Sequence, residues 1–162
     1  MKHSTLDTFA GFWHGSKLLY LTDAPVASAP DFRSDSSLAI SRATASGLLL
    51  RYTWSIDAKP QSGVLLLVWN LDQQTARAAW TDSWHSNAQL MDLNGSLTHT
   101  EDSVAANLLG HYAAGDNTWG WRICLQLAAD NALLEMHNVT PQGAESLAVR
   151  VDYTREEKIS SL

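Results

Sequence analysis

The chain has a single cysteine, Cys124, in 162 residues. One thiol excludes an internal disulfide and a cysteine-based zinc cluster within one chain. Charge is also scarce. Asp, Glu, Lys and Arg together make up 17% of the residues, which disfavours disorder and favours a chain that buries much of itself. The balance is acidic, with a net charge of -6 and a pI near 5.3. A positive field is therefore missing, so no nucleic-acid partner and no anionic membrane surface are expected. No run of about 18 apolar residues occurs, and no membrane span is expected. The opening MKHSTLDTFAGFW has neither the apolar segment nor the small-residue cleavage site of a secretory signal, so the expectation is a cytoplasmic protein. A G-x-S-x-G elbow and a glycine-rich phosphate loop are likewise missing, and no cofactor is implied.

What is abundant is tryptophan, with seven in the chain. An indole is bulky, and its N–H needs a partner when buried. Such a content suggests an aromatic core or an aromatic-lined pocket. The length is that of one domain, 1–162, with enough chain to bury a sizeable core.

Short apolar runs separated by turn residues fill the sequence. They are Phe12–Leu21, Leu38–Ala45, Gly47–Ile56, Val64–Leu71, Thr75–Trp84, Ser96–Thr100, Val104–Tyr112, Trp119–Leu127, Ala132–Val139 and Glu145–Tyr153. Turns are expected at Asp57–Gly63, Asn94-Gly95, Gly115–Asn117, Asp130-Asn131 and Pro141–Gly143 by composition. Asp23–Ser37 reads as the loosest segment and Glu156–Leu162 as a frayed tail. A short helix fits only near Thr5–Ala10 or in the loop around Asp31. About ten evenly spaced strands without covering helices must close or fold over to hide their edges. The fold class is therefore all-β, a sandwich or a single antiparallel barrel.

Several strands alternate with period two. Leu48, Leu50, Tyr52, Trp54 and Ile56 share one face, and Leu49, Arg51, Thr53 and Ser55 the other. Trp119, Trp121, Ile123, Leu125 and Leu127 oppose Gly120, Arg122, Cys124 and Gln126. The run Val64–Val68 does not alternate. Cover on both faces is expected there, from the proline-containing loop or from a second subunit in a homodimer.

Gly11-Phe12-Trp13 with Gly15, and Arg155 near the end of the last strand, resemble the calycin pattern of lipocalins and fatty-acid-binding proteins. The resemblance implies an up-and-down barrel in which Trp13 plugs the closed end and Arg155 packs across it, a guanidinium on an indole face. Further pieces resemble an uncharacterised bacterial family of lipocalin-like barrels: Phe9–Trp13, Thr81–His85, Gly120–Arg122, Met136–Asn138 and Pro141–Glu145. Nitrobindins, a neighbouring calycin group that binds haem, carry G-x-W-x-G-x-G; here Lys17 stands at the third glycine.

The densest cluster is Trp80-Thr81-Asp82-Ser83-Trp84-His85. On a strand, Trp80, Asp82 and Trp84 share a face and His85 points away. Either the indoles wall a pocket with Asp82 as a buried acceptor, or Asp82 forms a structural pair with Arg122. By resemblance to fatty-acid binders, Arg51 or Arg122 would hold a ligand carboxylate; otherwise Arg122 pairs across strands at the surface. Glu135 and His137 share a face, an arrangement compatible with a metal or an acid–base pair but also common by chance. His3, His14, His99 and His111 declare no convergent zinc site. Cys124, mid-strand, reads as a small core residue.

Four readings follow. The first is a binding module for a small hydrophobic or amphipathic molecule, contacted by Tyr52, Trp54, Trp80, Trp84 and Trp121 and oriented by Asp82, Arg51 or Arg122. The second is a barrel filled by tryptophan that works through a dimer face. The third is an enzyme, which needs two of Asp82, Glu135 and His85 within about 3 Å of each other at a pocket. The fourth is a haem-binding barrel.

Overall fold

The computed structural model describes residues 5–21, 29–86 and 88–157. Ten strands follow a 3-10 turn at Thr5–Thr8. They are β1 (Gly11–Leu19), β2 (Phe32–Thr44), β3 (Gly47–Ile56), β4 (Lys59–Asn70), β5 (Thr75–Asp82), β6 (Met91–His99), β7 (Val104–Ala114), β8 (Asn117–Leu127), β9 (Asn131–Val139) and β10 (Glu145–Arg155). Each pairs antiparallel with its sequence neighbour, and β1 closes on β10 with Trp13 opposite Arg155 and Leu19 opposite Val149. The result is a closed up-and-down barrel, which leaves no strand edge free.

Period-two alternation decides which side chains fill it. On β3, Leu48, Leu50, Tyr52, Trp54 and Ile56 are buried while Arg51 and Thr53 are exposed. On β8, Trp121, Ile123, Leu125 and Leu127 point inward. One end is sealed by Phe9 and Trp13, both fully buried. The Arg155 guanidinium lies 5.0 Å from the Trp13 ring centre and donates to the carbonyls of Thr8, Ala10 and Ala129.

Four expectations are corrected. Asp57–Gly63 is not one long turn: only Asp57 and Ala58 turn, with φ of 48° and 59°, and β4 begins at Lys59. Two consecutive left-handed residues make the tight hairpin geometry that Asn-Gly usually signals, and Asp-Ala carries no such signal. Asn94-Gly95 lies inside β6 instead of turning. A side chain at Gly95 would collide with the Asn107 carbonyl on β7, so the glycine permits close strand approach. The segment expected to be loose up to Ser37 is already strand from Phe32; residues 22–28 lie outside the described ones. Val64–Val68 does alternate. Leu65 and Leu67 are buried, and Leu66 and Val68 remain 38% and 37% exposed on the outer face.

Candidate functional site

The end opposite Trp13 holds a cavity of about 730 Å³. Its walls come from Leu19, Trp80, Met91, Tyr112, Trp121 and Asn138 on the strands and from Trp84, His85, Ser86 and Leu90 on the connection after β5.

That connection starts where it does because of Asp82. Its Oδ1 accepts the backbone N–H groups of Trp84 and His85 at 2.8 and 3.0 Å. The Ser86 hydroxyl donates to the Asp82 carbonyl at 2.7 Å and accepts its N–H at 2.9 Å. A side chain that captures the next amides competes with ladder hydrogen bonds and ends the strand. The parity expected for Trp80–His85 therefore fails after Asp82. Trp84 stays on the cavity wall but is 39% exposed, while His85 turns inward. The His85 ring centre lies 5.5 Å from those of Trp54 and Trp121, 6.4 Å from Trp80 and 4.7 Å from Trp84.

Asp82 itself is buried and organises the interior. The Trp80 indole donates to the Tyr52 hydroxyl at 2.9 Å, which donates to Asp82 Oδ2 at 2.8 Å. Gly63 makes room for this tyrosine, since any side chain there would overlap the phenol. The partner of Asp82 is not Arg122 but His85, whose Nδ1 lies 3.2 Å from Oδ1. Burial opposes ionisation of Asp82, but the hydrogen bonds and charge of His85, with the charge of Lys17, hold its carboxyl well below the usual carboxylate range. An ionised carboxylate only accepts, so the shared proton sits on Nδ1 and Nε2 carries a lone pair. Burial, reinforced by the nearby Lys17 charge and opposed by Asp82, holds the imidazole pKa down. Burial pushes the Tyr52 phenol well up, and Asp82 adds to the effect.

A further buried residue stood in the sequence only as a departure from a glycine pattern. Lys17, on β1, is 1% exposed, with Nζ 3.3 Å from the Trp54 ring centre. Desolvation lowers its pKa to about 7, against a partial rise from Asp82. Lys17 Nζ, Trp54 Nε1, His85 Nε2 and Trp121 Nε1 are all buried without a hydrogen-bond partner in the protein. The inward alternation of Trp13, Lys17 and Leu19 was the signal that would have placed this lysine inside.

The remaining candidates lie elsewhere. Arg51 is exposed on the outer face, opposite Val64. Arg122 is also on the outer face, bound to Glu145 at 2.7 Å and Asn107 at 2.6 Å. Neither faces the cavity, because their strands alternate the other way. Glu135 and His137 lie 3.6 Å apart, with Glu135 held by Arg150 at 2.7 Å, also away from the cavity. Cys124 is half-buried on the outer face rather than in the core, and burial pushes its thiol up. His14 is exposed near Glu156, His111 sits at the cavity rim, and His3 lies outside the described residues. Among the described residues no group of three or more His, Cys, Asp or Glu is placed to hold a metal ion, and no helix is long and apolar enough to cross a membrane.

These features define a closed ten-stranded antiparallel barrel with one sealed end and an aromatic chamber at the other. The chain belongs to the family described as protein of unknown function (DUF1579), which it matches over residues 1–155. No curated protein matches it. Among solved structures it is similar to Rv2717c from M. tuberculosis, at 12% identity and a TM-score of 0.69, covering 94% of this chain and 95% of that one. It is also similar to the S-type phycobiliprotein lyase CPES from Guillardia theta, at 14% identity and a TM-score of 0.50, covering 97% and 95%. At these identities the likeness is one of fold.

Proposed function

We propose that the chain is a small-molecule-binding barrel of the calycin type, and that a small, partly apolar ligand occupies the chamber at its open end. One observation carries this reading: His85 and Trp121, both on the wall of an aromatic cavity, hold buried ring nitrogens with no partner in the protein, and the likewise unpartnered Trp54 and Lys17 lie behind His85. A buried polar group left unpaired costs about 1–3 kcal/mol. A ligand offering an oxygen or nitrogen there recovers part of that, and the rings of Trp80 and Trp121, stacked 5.5 Å apart, offer apolar contact. Native mass spectrometry on gently purified protein tests the reading. A copurified adduct, or uptake from a mixture of small amphiphiles, supports it. A bare mass that takes up nothing refutes it.

A second reading has its own observation. Asp82 and His85 lie 3.2 Å apart beside the cavity, a geometry suited to moving a proton at His85 Nε2. Haem is less well supported, because four indole rings surround the His85 imidazole within 6.4 Å and occupy the space a macrocycle would need. An adduct of haem mass in the same experiment would reverse that order.

A further inference from the structure

Ligand binding alone leaves the chemistry of Lys17 unused. A buried ammonium is normally paired. Here the nearest carboxylate, Asp82, is engaged by Tyr52, Trp84 and His85, and Nζ rests on the face of Trp54 without a hydrogen bond. Lys17 stands two positions deeper on β1 than Leu19, which lines the cavity. That is about 6.6 Å at the rise of a strand, a distance its four-carbon stem spans. His85, also a cavity wall, contacts Trp54 with its ring centre 5.5 Å away. The amine is thus one side chain behind the chamber, with its charge felt at the His85 imidazole.

We propose that Lys17 captures carbonyl ligands, aldehydes or reactive ketones with an apolar tail, as a Schiff base inside the barrel. The proposal rests on the chamber being a ligand site. The Nζ lone pair attacks the carbonyl carbon, the carbonyl π bond breaks as a C–N bond forms, and the oxygen takes one proton from solvent to become the hydroxyl of a carbinolamine whose nitrogen still carries both its own protons. His85 Nε2 takes a proton from nitrogen and returns it to that hydroxyl. The C–O bond breaks, one water leaves, and a protonated imine remains. The indole N–H of Trp121, on the chamber wall and without a partner in the protein, is the donor assigned to the carbonyl oxygen, and the Asp82 carboxylate is the counter-ion to the iminium. The amine is ready for this role, since its pKa of about 7 leaves about half of it neutral at pH 7. The titratable groups facing the same interior are Tyr52 from β3, Asp82 from β5, His85 from the connection after it and Tyr153 from β10, with Ser36 on β2 bound to the Tyr153 hydroxyl.

The full chain incubated with decanal, reduced with borohydride and mapped by peptide mass spectrometry tests the proposal. Decanol serves in parallel as a ligand of the same tail without a carbonyl, followed by tryptophan fluorescence. The chain has four lysines, Lys2, Lys17, Lys59 and Lys158, so the map is unambiguous. The expected result is one decyl group on Lys17, formed at least about tenfold faster than on Lys59 at pH 7, with a rate that levels off above neutrality rather than near the pKa of a surface amine. Lys17→Met abolishes the adduct; if that variant does not fold, the wild-type map still decides. Decanol uptake without a Lys17 adduct, or labelling spread over the other lysines, overturns the proposal and leaves the binding reading standing. If neither compound enters, both fall.

Discussion

Removing the buried lysine should stabilise the barrel, and the gain should disappear as the pH rises. The Lys17 proton leaves at a pH of about 7 in the folded chain and at the ordinary 10.5 in the unfolded chain. Between these values the unfolded state holds one more proton than the native state, so stability rises with pH by about 1.4 kcal/mol per pH unit. Below pH 7 the full penalty of the buried ammonium is present. Cys124 and the tyrosines Tyr52 and Tyr153, whose folded pKa values are raised, act in the opposite direction once their unfolded counterparts ionise, from about pH 9 upward. The clean window is therefore pH 7 to 9, where the slope, half developed at pH 7, integrates to about 2 kcal/mol. Urea unfolding at several pH values reads this directly from the midpoint at constant m. The wild-type midpoint should climb between pH 7 and 9. Lys17→Met fills a similar volume with an apolar chain and should be more stable at pH 7 by about 2–4 kcal/mol, with a flat profile. A wild-type profile that is flat or falling over this window, or a Lys17→Met variant less stable than wild type at pH 7, would refute the reasoning.

Other outcomes follow from the same geometry. Asp82→Ala leaves Tyr52, His85 Nδ1 and two backbone N–H groups without their acceptor; it should lose about 3–5 kcal/mol in urea unfolding, against about 1–2 kcal/mol for Tyr52→Phe. Wild-type stability should fall as pH drops below the ordinary carboxylate range, because the depressed Asp82 pKa contributes stability only above the unfolded value; Asp82→Asn should show a shallower acid limb in the same titration. Arg51→Ala and Arg122→Ala should leave ligand uptake unchanged within twofold by fluorescence titration, since both side chains lie on the outer face.

The sequence carried the barrel well because its signal is alternation. The two faces of Gly47–Ile56 and Trp119–Leu127 were legible from period two alone, but which face of the Trp119 strand looks inward was not; the structure puts Tyr52, Trp54 and Trp121 inside. Alternation fails where a side chain rewrites the backbone. Asp82 captured two amides and ended β5, so His85 entered the chamber against its parity and Trp84 came to lie half-exposed on its wall. Arg51 and Arg122 were read by chemical type; the leucine-rich opposite face of its strand already argued for Arg51 outside, while for Arg122 alternation alone left both orientations open. Lys17 was missed for the converse reason: its inward position was readable, but a charged residue is rarely expected there. Gly95 misled because a glycine that permits close strand approach looks, in one dimension, like a glycine that turns.

The claim at the centre is that ligand enters the aromatic chamber, and indole N–H resonances report it most directly. Seven tryptophans give seven such signals. On titration with an amphiphile such as decanol, Trp121 on the chamber wall and Trp54, whose ring lies 5.5 Å from that of the wall residue His85, should shift, while Trp13, sealed under Arg155 at the far end, should not. Shifts confined to Trp13 at the sealed end, or no shifts at saturating ligand, would contradict the account.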